Sequence, residues 1–464
     1  MFSSNESPLL SPGHQLCETL SLSSEAPTKM KAIELPELLQ LIAESIDDRL
    51  DLVSFCRVDH FTHSIATPIL FRTIEIPFKS ISLLARVFKI DPSRAKSCKT
   101  LSIAAPYTGP GRGPDITVDK QIQQDLITIF NAISRHQQLS TLIWDGYHYS
   151  CNDCLLPEEV WAAIFPVLGS LRMLQLYIAN NEKYTNPLKS ITFTRLRVFR
   201  LYSHEWDGVL LETLLGTLQD LEELELWFHV CCEPPEGLTL QSVYPKLKRF
   251  SYTGPSLGKI ASDSDFLTRH PQIETLYLDT HQPFPLLDSN ALRNLNIDDY
   301  TICASPTLVN AAILHLRLRA LDNPDDARML SKVKNFVSSF VPSLRCLEIE
   351  ASIHRSDVRP VDAFALMVDV VSHLDELAIS YRLRSSRIPI SAVDFLLLPQ
   401  ARLDNLGPVP HHLKYLGWTT KTQSLVYCIG RDSEGDRNFV LKTITRPVAN
   451  DWTKESVLNF LGER

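Results

Sequence analysis

Glycine is scarce in this chain, at 16 of 464 residues, which argues against any chemistry that needs glycine-rich loops around phosphate. The one dense stretch, Gly109-Pro110-Gly111-Arg112-Gly113-Pro114, contains two prolines that remove the amide donors such a loop would use. No Lys-Ser/Thr pair follows it, so it reads as a flexible connector. No run approaches about 18 uninterrupted apolar residues, and no transmembrane helix is expected. The start, Met1 to Glu6, lacks a basic segment and an apolar segment of the kind a secretory signal needs. The ten cysteines follow no disulfide rhythm, which predicts a reduced, intracellular protein of the cytoplasm or nucleus. An excess of positive charge is also missing. The formal net charge of -8 argues against a general nucleic-acid or anionic-membrane surface.

Catalytic and metal-binding signatures are equally thin. Cys151-Asn152-Asp153-Cys154 has the spacing of half a zinc site, but the next close pair, Cys231-Cys232, is adjacent rather than spaced. A structural zinc site needs four ligands, so two free thiols in a loop are expected and no metal. The carboxylate pairs Glu222-Glu223 and Asp298-Asp299 could serve as acid and base, but their neighbours fit solvated strand ends equally well and nothing converges on them. No nucleophile motif is present. The expectation is a non-catalytic protein without a cofactor.

What the chain does have is length, an ordinary 44% of hydrophobic residues and 22% of charged ones, and a division into four segments. Residues 1–30, rich in Ser, Pro and Glu, read as a disordered leader. Residues 31–76 form a small helical module. Leu35-Pro36-Glu37-Leu38-Leu39 opens a helix with Pro near its first position, and Leu38, Leu39, Ile42 and Ile46 follow at helical spacing. Leu50, Leu52, Val53 and Phe55 outline a second helix. Phe61, Ile65 and Ala66 outline a third, ended by Pro68, and residues 70–76 alternate like a strand. So short a module carries more apolar residues than it can hide alone; it must lean on the following domain or on a partner.

Residues 77–420 repeat one unit: apolar, two variable, apolar, one variable, apolar. The best copies are Leu171-Leu174-Leu176, Leu196-Phe199-Leu201, Leu221-Leu224-Leu226, Leu247-Phe250-Tyr252 and Ile273-Leu276-Leu278. Looser copies begin at Cys98, Leu139, Leu292, Ile313, Leu344, Leu374 and Leu413. Helix-like runs lie between them, at 210–215 and 361–368 for example. A strand and a helix cannot bury their own apolar faces, whereas a stack of such pairs can. The spacing lies within the leucine-rich-repeat period. An α/β solenoid is therefore predicted, with parallel strands on the concave face and helices outside. Residues 421–464 leave the rhythm and read as a cap: a hairpin, 425–429 against 439–444, and a last helix near 454–461.

The module resembles an F-box of the form common in fungal proteins. The resemblance rests on Leu35-Pro36-Glu37-Leu38-Leu39, Leu50-Asp51-Leu52, Cys56-Arg57-Val58 and Ala66-Thr67-Pro68-Ile69-Leu70-Phe71-Arg72, and it covers about a tenth of the chain. It implies docking on a Skp-family adaptor and through it on a cullin, in an SCF-type ubiquitin ligase whose substrate the C-terminal repeats would hold. The adaptor-facing residues it implies are Leu35, Pro36, Leu38, Leu39, Ile42, Leu50, Leu52, Val58 and Phe61. The chain departs from the family at Val58-Asp59-His60-Phe61, where many members carry a tryptophan in the place implied for Phe61. The alternatives are that the module packs only against the first repeats, or that the chain is a repeat scaffold with no ligase role.

Strand side chains alternate, so the variable positions of each repeat should line the concave face. One row reads Gln175, Arg200, Glu225, Ser251, Tyr277 and Asn296. The next reads Tyr177, Tyr202, Trp227, Thr253, Asp279 and Asp298. Aromatics and Arg are enriched at binding hot spots. The substrate-binding residues expected are therefore Gln175, Tyr177, Arg200, Tyr202, Glu225, Trp227 and Tyr277, unless loops or the C-terminal tail fold over them. The asparagine usual after the third apolar position is replaced by Ala179, His204, His229 and His281.

Overall fold

A computed structural model describes residues 36–104, 120–145, 158–178, 193–203, 208–228, 238–254, 265–280, 291–298, 313–322, 336–337, 343–353, 376–383, 415–419, 423–431 and 437–445. The chain divides into two compact units, Met1–Thr67 and Pro68–Arg464. The sequence motifs at 109–114, at 151–154 and at 231–232 lie outside the described residues, as do Leu35, the 361–368 run, the last helix and the four residues replacing the asparagine.

The first unit contains helices α1 (Pro36–Glu44), α2 (Arg49–Phe55) and the start of α3 (His60–Leu70). Two aspartates start two of these helices. Asp48 accepts hydrogen bonds from the Leu50 and Asp51 amides at 2.6 and 3.3 Å, and so satisfies donors that an N-terminus otherwise leaves open. Asp59 does the same for α3 through the Thr62 amide, at 2.7 Å. The buried side chains of the module are small or medium in size: Ala43, Leu52, Cys56, Thr62 and Ala66. Helix α3 runs through Pro68 to Leu70 rather than ending at it. Proline forfeits its own amide hydrogen bond and crowds the carbonyl four residues back, but its fixed φ is a helical one, so the last residues can continue the turn.

The second unit is built on a sheet of fifteen strands in sequence order among the described residues. They are β1 (Thr73–Pro77), β2 (Thr100–Ala104), β3 (Thr141–Asp145), β4 (Met173–Ile178), β5 (Val198–Ser203), β6 (Glu223–Phe228), β7 (Arg249–Gly254), β8 (Thr275–Thr280), β9 (Asn294–Asp298), β10 (His315–Asp322), β11 (Cys346–Ile353), β12 (Glu376–Leu383), β13 (Tyr415–Thr419), β14 (Gln423–Arg431) and β15 (Arg437–Thr445). Every pairing from β1 to β13 is parallel. Strands β14 and β15 continue the sheet antiparallel, as the hairpin expected beyond residue 421.

Each apolar triplet read from the sequence from Cys98 to Leu413 leads into one of the strands β2 to β13. Strand β1 is a further copy, although by sequence it falls at the end of the helical module. Phe71-Ile74-Ile76 has the same spacing, and Ile74 pairs in register with Leu101 of β2. The strand placed at the end of the 31–76 module therefore belongs to the sheet of the second unit. The reason is physical: an isolated alternating strand has no ladder partner, and β2 supplies one.

Where side chains are described, the second and third apolar residues of a unit point to one face. Leu142 and Trp144, Leu174 and Leu176, Phe199 and Leu201, and Leu224 and Leu226 are all buried there. Against that face lie α4 (Ile81–Ile90), α5 (Lys120–Ser134), α6 (Glu158–Leu168), α7 (Gly208–Gly216) and α8 (Asp265–Arg269). Their buried residues, such as Phe88, Phe130, Trp161, Leu215 and Phe266, join one continuous core. Each fully buried Leu contributes roughly 2 kcal/mol. A second device joins neighbours. The carbonyl just ahead of a strand accepts two consecutive amides from the next repeat, as Arg172 does from Arg197 and Val198 at 2.8 and 3.0 Å. The same pattern runs from Arg72 to Leu314. No helix among the described residues is long and apolar enough to cross a membrane.

Candidate functional site

Because the core takes alternate residues of strands such as β4, β5 and β6, the others line the opposite face in straight rows. Residues 173, 175 and 177 of β4 pair with 198, 200 and 202 of β5, and these with 223, 225 and 227 of β6. The rows read from the sequence are therefore real: Gln175, Arg200, Glu225, Ser251, Tyr277 and Asn296 are register partners in succession. This geometry decides the fold. The second unit is a leucine-rich-repeat solenoid.

No protein-family model matches the chain. No curated protein matches it. Among solved structures, it is similar to the leucine-rich repeat-containing protein LegL7 from Legionella pneumophila, at 13% identity and a TM-score of 0.28, over 68% of this chain and 81% of that one. The solenoid assignment rests on the strand register and not on this likeness.

Across β4, β5 and β6 the strand face carries a ladder of rings. Tyr177 and Tyr202 stack with centroids 4.0 Å apart and planes 8° from parallel, and Trp227 follows at 6.5 Å and 35°. All three are half-buried. Stacking is possible because register puts them side by side across neighbouring strands, at the spacing of a parallel ladder.

Beside the ladder lies an ion-pair network. Arg200 Nη2 sits 2.5 Å from Glu223 Oε1, and Arg200 Nε donates to the same oxygen at 2.7 Å. Glu225 Oε2 is 3.4 Å from Arg200 Nε, and Glu225 Oε1 accepts the Tyr202 hydroxyl at 2.6 Å. Gln175 Oε1 accepts from Arg200 Nη1 at 3.4 Å. Arg249 Nη1 approaches Glu223 Oε2 at 3.7 Å. Arg200 and Glu225 are buried, so they form the floor of the face rather than its outer surface. Tyr277 is also buried, with its hydroxyl 3.4 Å from Asp279 Oδ2.

Glu223 is the functional-looking residue that sequence reading missed. The pair Glu222-Glu223 reads as a solvated strand end. In the structure the two diverge: Glu222 turns outward to Arg197 at 3.2 Å, whereas the Glu223 side chain is only 15% exposed and holds Arg200. Strand alternation carried the signal, since Glu223 shares a face with Glu225. Asp298 belongs to β9, and Asp299 lies outside the described residues.

The residues implied by the F-box resemblance divide differently. Leu38, Ile42, Leu50, Val58 and Phe61 are exposed, and so is Leu41, which that set omits. Pro36 is exposed and Leu39 half-buried. Leu52 is the exception: it is 6% exposed and belongs to the interior of the chain. Its position on α2 opposes that of Leu50, since residues two apart on a helix do not share a face. No group of His, Cys, Asp and Glu suited to a metal ion occurs among the described residues.

Proposed function

We propose that this protein is the substrate-recognition subunit of a cullin-based, SCF-type ubiquitin ligase. Its helical module docks on a Skp-family adaptor and its concave strand face holds a protein substrate. It makes and breaks no bonds itself, and raises the substrate's effective concentration beside a loaded partner enzyme.

The observation that carries this reading is the apolar surface of the helical module. Leu50 is 76% exposed and Val58 67%, with Leu38, Leu41, Ile42 and Phe61 also exposed, in a segment of three short helices. Single exposed apolar side chains are ordinary on a protein surface, but a concentration of them marks an interaction site. The docking set is Pro36, Leu38, Leu39, Leu41, Ile42, Leu50, Val58 and Phe61, with Leu52 acting from the interior. The substrate contacts are the ring ladder, Tyr177, Tyr202 and Trp227, over the floor of Gln175, Arg200, Glu225 and Tyr277.

The test is capture of a recombinant Skp-family adaptor by the full chain. A Leu50→Asp, Val58→Asp variant, altered only at exposed positions, loses capture while keeping its thermal transition. Equal capture by variant and wild type refutes the docking assignment and leaves a repeat scaffold without a ligase role. Trp227→Ala retains the adaptor and loses proteins that co-purify with the wild type when ubiquitin transfer is blocked.

A further inference from the structure

Asp59 and Thr62 form a closed reciprocal pair at the start of α3. The Thr62 amide donates to Asp59 Oδ1 at 2.7 Å, and the Asp59 amide donates to Thr62 Oγ1 at 3.1 Å. This is a capping box with the two side chains in exchanged positions: each satisfies a backbone donor of the other. Thr62 is buried, whereas Val58, just before Asp59, and Phe61, two residues after it, are 67% and 39% exposed. The approach to the cap is held too, by Arg57 and Val58 amides that donate to Ser54 and Phe55 carbonyls at 3.0 and 3.2 Å. The hydrogen bonds, that from the Thr62 amide first, hold the Asp59 carboxyl below its ordinary range.

We infer that Asp59 is a positioning residue of the docking surface, which fixes the first turn of α3 so that Val58 and Phe61 are presented together. The inference rests on the adaptor-docking reading. Asp59 itself need not touch the partner. Without the cap the first turn of α3 frays, because its amides have no acceptor. Docking must then order the turn as well as bury the two apolar side chains, and apparent affinity falls with the fraction of chains already ordered.

Three substitutions separate capping from charge. Asp59→Asn keeps a capping side chain without the charge. Asp59→Glu keeps the charge on a side chain outside the preferred capping set. Asp59→Ala keeps neither. Affinity of the full chain for a recombinant Skp-family adaptor is measured by titration calorimetry, and exchange of the Thr62 amide by hydrogen–deuterium exchange. The expected result is that Asn binds within about twofold of wild type, while Glu and Ala weaken binding about fivefold and accelerate Thr62 exchange. If wild type binds the adaptor and the Glu and Ala variants bind as tightly, this inference is overturned and the docking assignment stands. If Asn weakens binding as much as Ala, the charge acts and not the cap, which also overturns it. If wild type itself does not bind, the docking assignment fails and carries this inference with it.

Discussion

Arg200 and Glu223 sit on adjacent strands, two residues out of direct register, and the guanidinium bridges that offset with Nη2 2.5 Å from the carboxylate. The diagonal places one cation between two carboxylates, Glu223 and Glu225, whose side chains are 15% and 7% exposed. Removing the cation would leave both anions poorly solvated. Arg200→Met should lower unfolding free energy by about 3 kcal/mol, the range for breaking a buried pair. Adding Glu223→Gln to that variant should recover part of the loss. Urea unfolding of the two single variants and the double variant measures this, and strict additivity would show that the residues are not coupled.

The far side of the sheet is tied by a different anion. Glu212 of α7 accepts the amides of Thr239, Leu240 and Gln241 at 3.1, 2.7 and 2.7 Å. Leu240 has φ +48, a left-handed value uncommon for a branched side chain, and it turns successive amides toward one acceptor. From the next repeat, Arg269 of α8 donates to the carbonyls of Leu240 and Gln241. Hydrogen bonds to charged groups contribute about 1.5–3 kcal/mol. Glu212→Ala should destabilise by about 2 kcal/mol on that basis. It should also accelerate amide exchange at residues 239–241 ahead of global unfolding.

His270 supplies a pH dependence. The Tyr244 amide donates to its Nε2 at 2.9 Å, and Nδ1 lies 2.6 Å from the Phe266 carbonyl. Nε2 is therefore the acceptor and the proton is on Nδ1. Burial, the largest influence, pushes the pKa below its ordinary value of 6.5. The unfolded chain then binds more protons than the folded one below that pH, and stability falls as pH falls. His270's contribution should be complete above pH 6.5 and lost as pH drops through the folded pKa. Comparing unfolding midpoints from pH 7.5 to pH 5 in wild type and His270→Asn checks this; parallel profiles would remove His270 as the cause.

Cys98 opens the second repeat and is fully buried, which pushes its thiol up to about 12. The thiolate is the reactive form. Iodoacetamide at pH 8 should leave Cys98 unmodified in the folded protein and label it in 6 M guanidinium, as read by peptide mass spectrometry. Labelling of folded protein at the unfolded rate would contradict this placement.

The repeat architecture is legible in the sequence because its cause is local. Three apolar positions at fixed spacing recur along the chain, and each must face the same core. Phe71-Ile74-Ile76 obeys the same spacing, yet it is hidden in sequence by a motif that also fits the end of a helical module. Only pairing with β2 assigns it. Helix α2 shows the complementary difficulty. Leu50 and Leu52 are equally apolar, and the pattern cannot tell which faces inward. The structure buries Leu52 and leaves Leu50 exposed.

The rows of the strand face were likewise legible from alternation, down to the adjacency of Tyr177, Tyr202 and Trp227. What the rows do was not. Whether a ring stacks on its neighbour, and whether Arg200 turns toward Glu223 or to solvent, depends on side-chain directions across separate strands.

The order of apolar and polar positions by itself pointed to stacked parallel strands, since a triplet that recurs at near-constant spacing lets each unit bury its apolar face against a like neighbour, which a doubly wound sheet rarely requires. Tertiary structure alone decided which polar residues sink into the strand face and which stay at its rim. Those choices depend on partners some 25 residues away in sequence, and an ionised side chain is buried only where such a partner comes within hydrogen-bonding distance.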